Sequence, residues 1–463
     1  MAFAEIEQAL LGPLNVAVSW LWGPILVYLL LGTHLFMTIR LGFIQRFLPK
    51  MIRLSVKPTK REKGDISGFG ALTTALAATI GAGNIIGVAG AILTGGPGAV
   101  LWMWLTGVFG IATKYSECLL ALKYRTVNSQ GQISGGPMYV LERGLKAKWL
   151  GVMFAAFAVL AGFGIGNMFQ ANAVAGLMND NLGLPHWTTG LVLVGLVASV
   201  TFGGVRSIAR VAEFLVPIMA GLYILGCLVL LVLHFDAIPN AFYQIITQAF
   251  FPEAAAGGAF GAILKATVEA GVARGLFSNE AGLGSAPIVA SAAQTPNSVR
   301  QAMVSASGTF WDTVVICLIS AVVIISSGAY VGETDRNLVT NNAFDDMGTI
   351  GPFVLTFALS TFAFSTILGW SYYGEKALEY LAGVKAIIFY RFLWLVVVFL
   401  GCITGPALVG AFCDLMNGLM ALPNLIGVLL LSGVVAAETR KYIRNPEQED
   451  PDFTLASKEG PPA

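Results

Sequence analysis

The sequence predicts an all-α membrane protein of eleven transmembrane helices, ten of which form a five-plus-five inverted repeat behind one extra N-terminal helix. Three observations carry this. Of 463 residues, 56% are hydrophobic and only 11% charged, and mean hydropathy is +0.75, where a soluble domain carries about a quarter charged residues. Eleven apolar windows approach the roughly 20 residues needed to cross the hydrocarbon of a bilayer. Two of those windows, the second and the seventh, are interrupted by glycine-rich polar stretches.

The windows fall near residues 16–39, 68–95, 98–124, 148–178, 187–205, 210–234, 258–291, 300–327, 350–381, 386–405 and 412–437. The N-terminus has neither the charged start nor the cleavage pattern of a signal peptide, so residues 1–40 are expected to keep the first window as the extra helix. Arg40, Arg46, Lys50, Arg53, Lys57, Lys60, Arg61 and Lys63 then make residues 41–67 a basic linker. Basic residues recur in alternate connections, at Arg143, Lys146 and Lys148, at Arg206 and Arg210, at Arg300, and at Lys385 and Arg391. The connections near 179–186, 235–257 and 328–349 hold only Arg336. By the positive-inside rule the N-terminus lies outside and the C-terminus in the cytoplasm. A lipid-binding patch is the less favoured reading of the basic linker. Residues 68–235 and 258–437 are the two repeats, 236–257 their external connection and 438–463 a cytoplasmic tail, polar and proline-rich from Asn445 onward as disordered chains are.

The second span, within Thr73 to Gly98, contains GAGN at Gly81 to Asn84. The seventh contains GVARGLFSNEAGLGSAP, Gly271 to Pro287, in which Gly275, Gly282, Gly284 and Pro287 surround Ser278, Asn279 and Glu280. Hydrocarbon cannot satisfy the backbone groups that a broken helix releases, so each break is expected to face protein, water or a ligand. Span two enters from the cytoplasm and span seven from outside, which puts the breaks at matched positions in halves of opposite topology, the pattern of an inverted-repeat transporter. Either glycine cluster alone reads better as close helix packing; together they read as one binding site. Half-helix N-termini offer N–H groups to a carboxylate and unwound carbonyls can hold a cation, so one site can serve a zwitterion and a coupling ion.

Other polar residues at membrane depth need partners. In GIGNMFQANAV, Gln170 is expected to contact the substrate and Asn167 to join helices, with Asn172 beside them. Trp370 lies four residues beyond Thr366 on one helical face and is expected to wall the pocket, leaving room for a hydrogen or methyl side chain. Lys114 with Glu117 and Lys123, and Arg274 with Glu269, are expected to neutralise one another near helix ends. Asp312 is unpaired in sequence and reads first as an interhelical hydrogen bonder, second as a transport or gating group. Asp414 and Asn417 are expected at the outer surface.

Catalysis has little support. The five cysteines, Cys118, Cys227, Cys317, Cys402 and Cys413, lack CxxC spacing and read as small buried hydrophobes. The three histidines make no metal pattern, and HExxH, GxSxG and paired catalytic aspartates are missing. No catalytic residue, no cofactor other than a coupling ion and no nucleic-acid partner is expected. A channel ordinarily repeats one filter in several subunits, unlike two dissimilar breaks in opposite orientation.

Five separated blocks, TALAATIGAGNIIGVAGAILTGGPGAVLWMW, ISGGPMYVLERGL, GLFSNEAGLGSAPI, ILGWSYYGEK and ALPNLIGVLLLSG, resemble the alanine or glycine:cation symporters, the sodium:alanine symporter family, over Trp22 to Glu438. The resemblance implies a leucine-transporter-type fold of ten core helices plus one. It also implies sodium-coupled import of small neutral amino acids across the inner (plasma) membrane: L-alanine and glycine, with D-alanine a further candidate. It places Thr79, Gly81, Gly83 and Asn84 at the first break, where glycine admits a carboxylate to the backbone and the Thr79 hydroxyl and Asn84 amide oxygen are hard ligands suited to sodium. A Thr79 hydroxyl bonded back to its own helix is the alternative. Ser278, Asn279 and Glu280 follow the family motif and complete the substrate site with Gln170, Thr366 and Trp370; Glu280 either caps unwound N–H groups or meets the substrate ammonium. The wider fold implies a sodium position between the Ala77 and Ile80 carbonyls and the Ser365 and Thr366 hydroxyls. A proton-coupled carrier of the same fold is the alternative function, resting on Asp312 and Lys265, although span six has no lysine in its interior.

Overall fold

A chain in hydrocarbon must satisfy its backbone internally. The computed structural model, which describes residues 2–57, 64–251 and 260–445, is accordingly helical in all eleven windows. Among the described residues, Lys148–Leu182, Gly204–Leu233, Ser298–Ser327, Ile350–Ala382, Ala386–Ile403 and Pro406–Leu430 are each long and apolar enough to cross a membrane. Val27–Arg40 and Ile44–Ser55, bent by 65° where Gly42 and Phe43 take φ of 62° and 59°, add up to a seventh. Gly68–Thr79, Ile86–Gly95, Ala99–Lys123, His186–Thr201 and Phe260–Asn279 are shorter, halved by a break or more polar. The chain is an all-α membrane protein.

Several bounds differ from those expected. Residues 2–40 are helical throughout, and the basic linker contains the helix Leu48–Ser55, which buries Met51; Lys60, Arg61 and Lys63 lie outside the described residues. The connection 236–257 contains Ile238–Gln248, and 328–349 contains Arg336–Asp345. The last span was expected over 412–437 but runs Pro406–Leu430, because Pro406 sets a helix start inside an apolar run; Ser432–Arg444 is a separate helix. The tail expected to be disordered lies outside the described residues beyond Asn445.

Among the described residues, four stretches are π-helical: Trp22–Leu26, Val140–Gly144, Gly164–Met168 and Phe310–Cys317. Ala99–Lys123 packs against Phe260–Asn279 and Ser298–Thr309, while Ile350–Ala382 packs against Lys148–Phe163, Phe169–Leu182 and Gly204–Leu233. The second span lies between these groups: Ile86–Gly95 contacts Phe260–Asn279, and Gly68–Thr79 contacts Gly204–Leu233 and Ile350–Ala382. Gly166 lets Trp370 pass so closely that any Cβ there would overlap it. Phe214, Val232 and Phe389 are exposed, as a lipid-facing surface requires, and the five cysteines are buried and unbridged.

Candidate functional site

Gly68–Thr79 ends where Ile80 takes ψ of 92° and Gly81 becomes extended. In an unbroken helix the Gly81 and Ala82 N–H groups would serve the carbonyls of Ala77 and Ala78. Here Gly81 N donates to Asn84 Oδ1 and Ala82 N to Gln170 Oε1, each at 2.9 Å. The Ala77 carbonyl, relieved of that partner, accepts from Thr366 Oγ1 at 2.9 Å and Ser365 Oγ at 3.2 Å, and Thr366 also reaches the Ile80 carbonyl at 3.3 Å. All four members of the expected ion position therefore meet. Across from them, Ser365 lies 3.5 Å from the Met219 sulfur, an uncharged neighbour contributed by Gly204–Leu233. A Cβ on Gly81 would stand 2.5 Å from Thr366 Oγ1 and 2.9 Å from Gln170 Oε1, so only glycine fits between them.

A second cluster joins the two breaks. Asn84 Nδ2 donates to Asp312 Oδ1 at 2.7 Å and Ser278 Oγ at 3.1 Å, while Ser278 and Thr313 donate to Asp312 Oδ2 at 2.6 and 2.7 Å. Asn84's oxygen is thus committed to Gly81 and its amide hydrogens to Asp312 and Ser278. Asp312, fully buried within the Phe310–Cys317 π stretch, is the centre of this cluster.

At the second break the chain leaves Phe260–Asn279 through Glu280 at φ 55°, Gly282 at 103° and Gly284 at 82°, then enters Ala286–Ser291. Asn279 Oδ1 accepts from Ala281 N at 2.8 Å. Glu280 does not cap backbone N–H groups as one expectation had it. Its carboxylate accepts from the Trp370 indole at 2.8 Å and from the Ser285 hydroxyl, because its left-handed backbone turns the side chain toward those groups. Nearby, Asn424 Nδ2 donates to Glu117 Oε1 at 2.6 Å and to the Gly282 carbonyl at 2.9 Å. Lys114 is the cation facing Glu117, Glu280 and Asp312, and its Nζ is buried without a hydrogen-bond partner among the described residues.

Other expected residues fall elsewhere. Thr79 donates back to Ala75 O at 3.1 Å and Leu76 O at 3.4 Å and joins neither cluster. Gly83 faces Phe277. Asn167 bonds the Trp394 carbonyl at 2.9 Å, and Asn172 those of Gly401 and Thr404 at 3.2 and 2.7 Å. Lys265 is a largely exposed partner of Glu269 at 3.5 Å, outside the ion position. Arg274 pairs not with Glu269 but bidentately with Asp414, at 2.9 and 3.2 Å, and Lys123 pairs with Glu438 at 2.9 Å. Asn417 is buried rather than at the surface; Lys114 faces Glu117 as expected, but both are buried inside the bundle. The sequence signal for Asp312 was its depth without a local partner, which is what a long-range hub looks like from inside one helix.

A family model described as the sodium:alanine symporter family matches residues 7–455. The sodium/alanine symporter AgcS of Methanococcus maripaludis is 49% identical over 439 residues, covering 92% of this chain and 96% of that one. The probable sodium/glutamine symporter GlnT of Bacillus subtilis is 37% identical over 455 residues, covering 97% and 94%. Among solved structures, that of MhsT in complex with L-phenylalanine matches with a TM-score of 0.56 at 15% identity, covering 88% of this chain and 94% of that one, a likeness of fold alone.

Proposed function

The chain belongs to the sodium:alanine symporter family, and from that premise we propose that it imports alanine and glycine by alternating access, each substrate coupled to sodium. The observation that carries this reading is the meeting of Ser365 and Thr366 with the Ala77 and Ile80 carbonyls. Carbonyl and hydroxyl oxygens are the hard, neutral donors that suit sodium, and the hydroxyls can rotate their hydrogens aside when a cation takes the carbonyls. The substrate carboxylate would lie against the open backbone at Gly81 and Gly83, with Gln170 and Asn84 holding that backbone in shape. Ser278, Asn279 and Glu280 would bound the other side. Trp370, fixed between Gly166 and Glu280, would restrict the side-chain space to a hydrogen or methyl.

Linkage supplies the coupling. Both ligands would bind the same opened form of the first break, so each tightens the other by the same factor. The topology that serves this is eleven spans, with 68–235 and 258–437 as inverted repeats, the N-terminus outside and the C-terminus in the cytoplasm of a plasma-membrane protein.

The proton-coupled alternative rests on Asp312 alone once Lys265 is at the exposed edge and Met219 faces the ion position. Uptake of labelled alanine into proteoliposomes, under an inward sodium gradient or an inward proton gradient of equal size, separates the two. Sodium-driven uptake is expected; uptake driven only by protons would overturn the assignment.

A further inference from the structure

A groove of about 600 Å³ opens between His186–Thr201, Gly204–Leu233 and Ile350–Ala382, with Val174 of Phe169–Leu182 in its floor. It exists because His186–Thr201 packs chiefly along Ala386–Ile403 and touches the other two helices only sparsely. Leu193 and Val174 are buried, while Val192 and Phe214 at the rim are exposed, so the groove faces lipid.

The walls are apolar or carry a hydroxyl, with Arg210 the exception. Arg210 lies within Gly204–Leu233, about 9 Å along the axis from the start of that helix. It is exposed and has neither a hydrogen bond nor an ion pair among the described residues. Glu213, the nearest acid along the helix, accepts from the Ser67 hydroxyl at 3.0 Å instead. Arg206, one turn nearer the helix start, shares the face of Arg210 and is also exposed. A guanidinium at membrane depth is costly without an anion, and its long side chain can snorkel to one at the headgroup level. A slot for hydrocarbon that ends on two uncompensated guanidiniums has the chemistry of a phospholipid turned inside out. A choline headgroup would bring a positive charge back toward the arginines, whereas a glycerol headgroup leaves the phosphate charge uncancelled.

We propose that this groove is a site for one anionic phospholipid of the leaflet at the Arg206 end, the cytoplasmic leaflet in the proposed topology. The phosphate lies on Arg210 and Arg206, and an acyl chain runs past Phe214 and Leu193 toward Thr189. The chain rests on the back of the ion position, since Phe364 in the wall adjoins Ser365 and Leu215 lies one turn from Met219. The site depends on the membrane-spanning fold and not on which solute the protein carries.

The test places a bimane label at Val192→Cys on the groove rim, the five native cysteines being buried. The labelled full-length protein is put into phosphatidylcholine nanodiscs doped with phosphatidylglycerol or phosphatidylcholine bearing a mid-chain nitroxide. Quenching by the nitroxide phosphatidylglycerol is expected to reach half its maximum at a mole fraction about fivefold lower for each arginine engaged. Arg210→Gln should remove about fivefold of that preference and Arg210→Lys should retain it. Thr189→Val, at the far end of the groove where the hydroxyl has no partner among the described residues, should leave it unchanged. Equal quenching by the two lipids would mean a non-selective lipid shell, and a preference that survives Arg210→Gln or is lost with Thr189→Val would put the headgroup elsewhere. Each of these results would overturn the proposal. The comparison of the two lipids on the Arg210 protein stands even where a variant fails to fold, which a melt in the same nanodiscs reports.

Discussion

The two breaks occupy matched places in the chain and are held open by different chemistry. No residue of the first has a positive φ; neutral side chains, Asn84 and Gln170 on N–H groups and Ser365 and Thr366 on carbonyls, take over what the helix gave up. The second is turned by Glu280, Gly282 and Gly284 in the left-handed region and pinned by carboxylates, Glu280 on Trp370 and Ser285, Glu117 on Asn424. A hydroxyl resting on a carbonyl can yield to a cation, whereas a carboxylate clamped by an indole and a hydroxyl has little to exchange. On this reading the first break handles cargo and the second fixes shape.

Substitutions can sharpen or break that division. The largest effect is expected from Asn84→Ala, which strips Gly81 N, Ser278 and Asp312 of a partner at once, each buried loss costing about 1–3 kcal/mol. Uptake should fall to background and the melting temperature should drop; activity within tenfold of wild type would mean that side chains are not what keeps the first break open. Next comes Gly282→Ala, which forces φ of 103° on a residue with a Cβ at about 1–3 kcal/mol. Thermal stability and maximal uptake should fall while the sodium concentration for half-maximal uptake stays put, and a shift in that concentration would erase the proposed division. Thr366→Val should do the reverse, weakening apparent sodium affinity about tenfold, or about 1.4 kcal/mol, along with alanine uptake at low sodium. Unchanged sodium dependence would remove Thr366 from the ion position. Asn172→Ala should be mildest: its bonds go to the Gly401 and Thr404 carbonyls away from both breaks, so a loss of about 1 kcal/mol in stability and uptake within twofold are expected from paired melting and uptake assays.

Much of this was legible in the chain because its signals are local. Windows of apolar residues mark spans, and GAGN and SNEAGLG mark breaks once they are read together at matched positions in the two halves. What was illegible depends on phase and distance. Thr79 and Thr366 are equally plausible hydroxyls in one dimension, yet Thr79 satisfies itself on Ala75 whereas Thr366 reaches Ala77. Arg274 had Glu269 as a helical neighbour, but its partner Asp414 is 140 positions away; Asp312 and Asn84 are 228 apart. Residues 406–411 fell between two apolar windows because hydropathy does not register a proline's preference for a helix start.

The π turn at Gly164–Met168 has a consequence for inheritance rather than binding. Such a turn is an α-helix carrying one surplus residue, and here the surplus leaves the Ile165 carbonyl to take Gln170 Nε2 at 3.0 Å while Gln170 Oε1 reaches Ala82. Each helical residue advances the chain by about 100°. Deleting one residue of this turn would mend the hydrogen-bond ladder and swing Gln170 a quarter-turn or more away from the break, although Gln170 itself is unchanged. Codon loss at this stretch is therefore a heavier lesion than most substitutions in it, because the gene stores an angle there as a count.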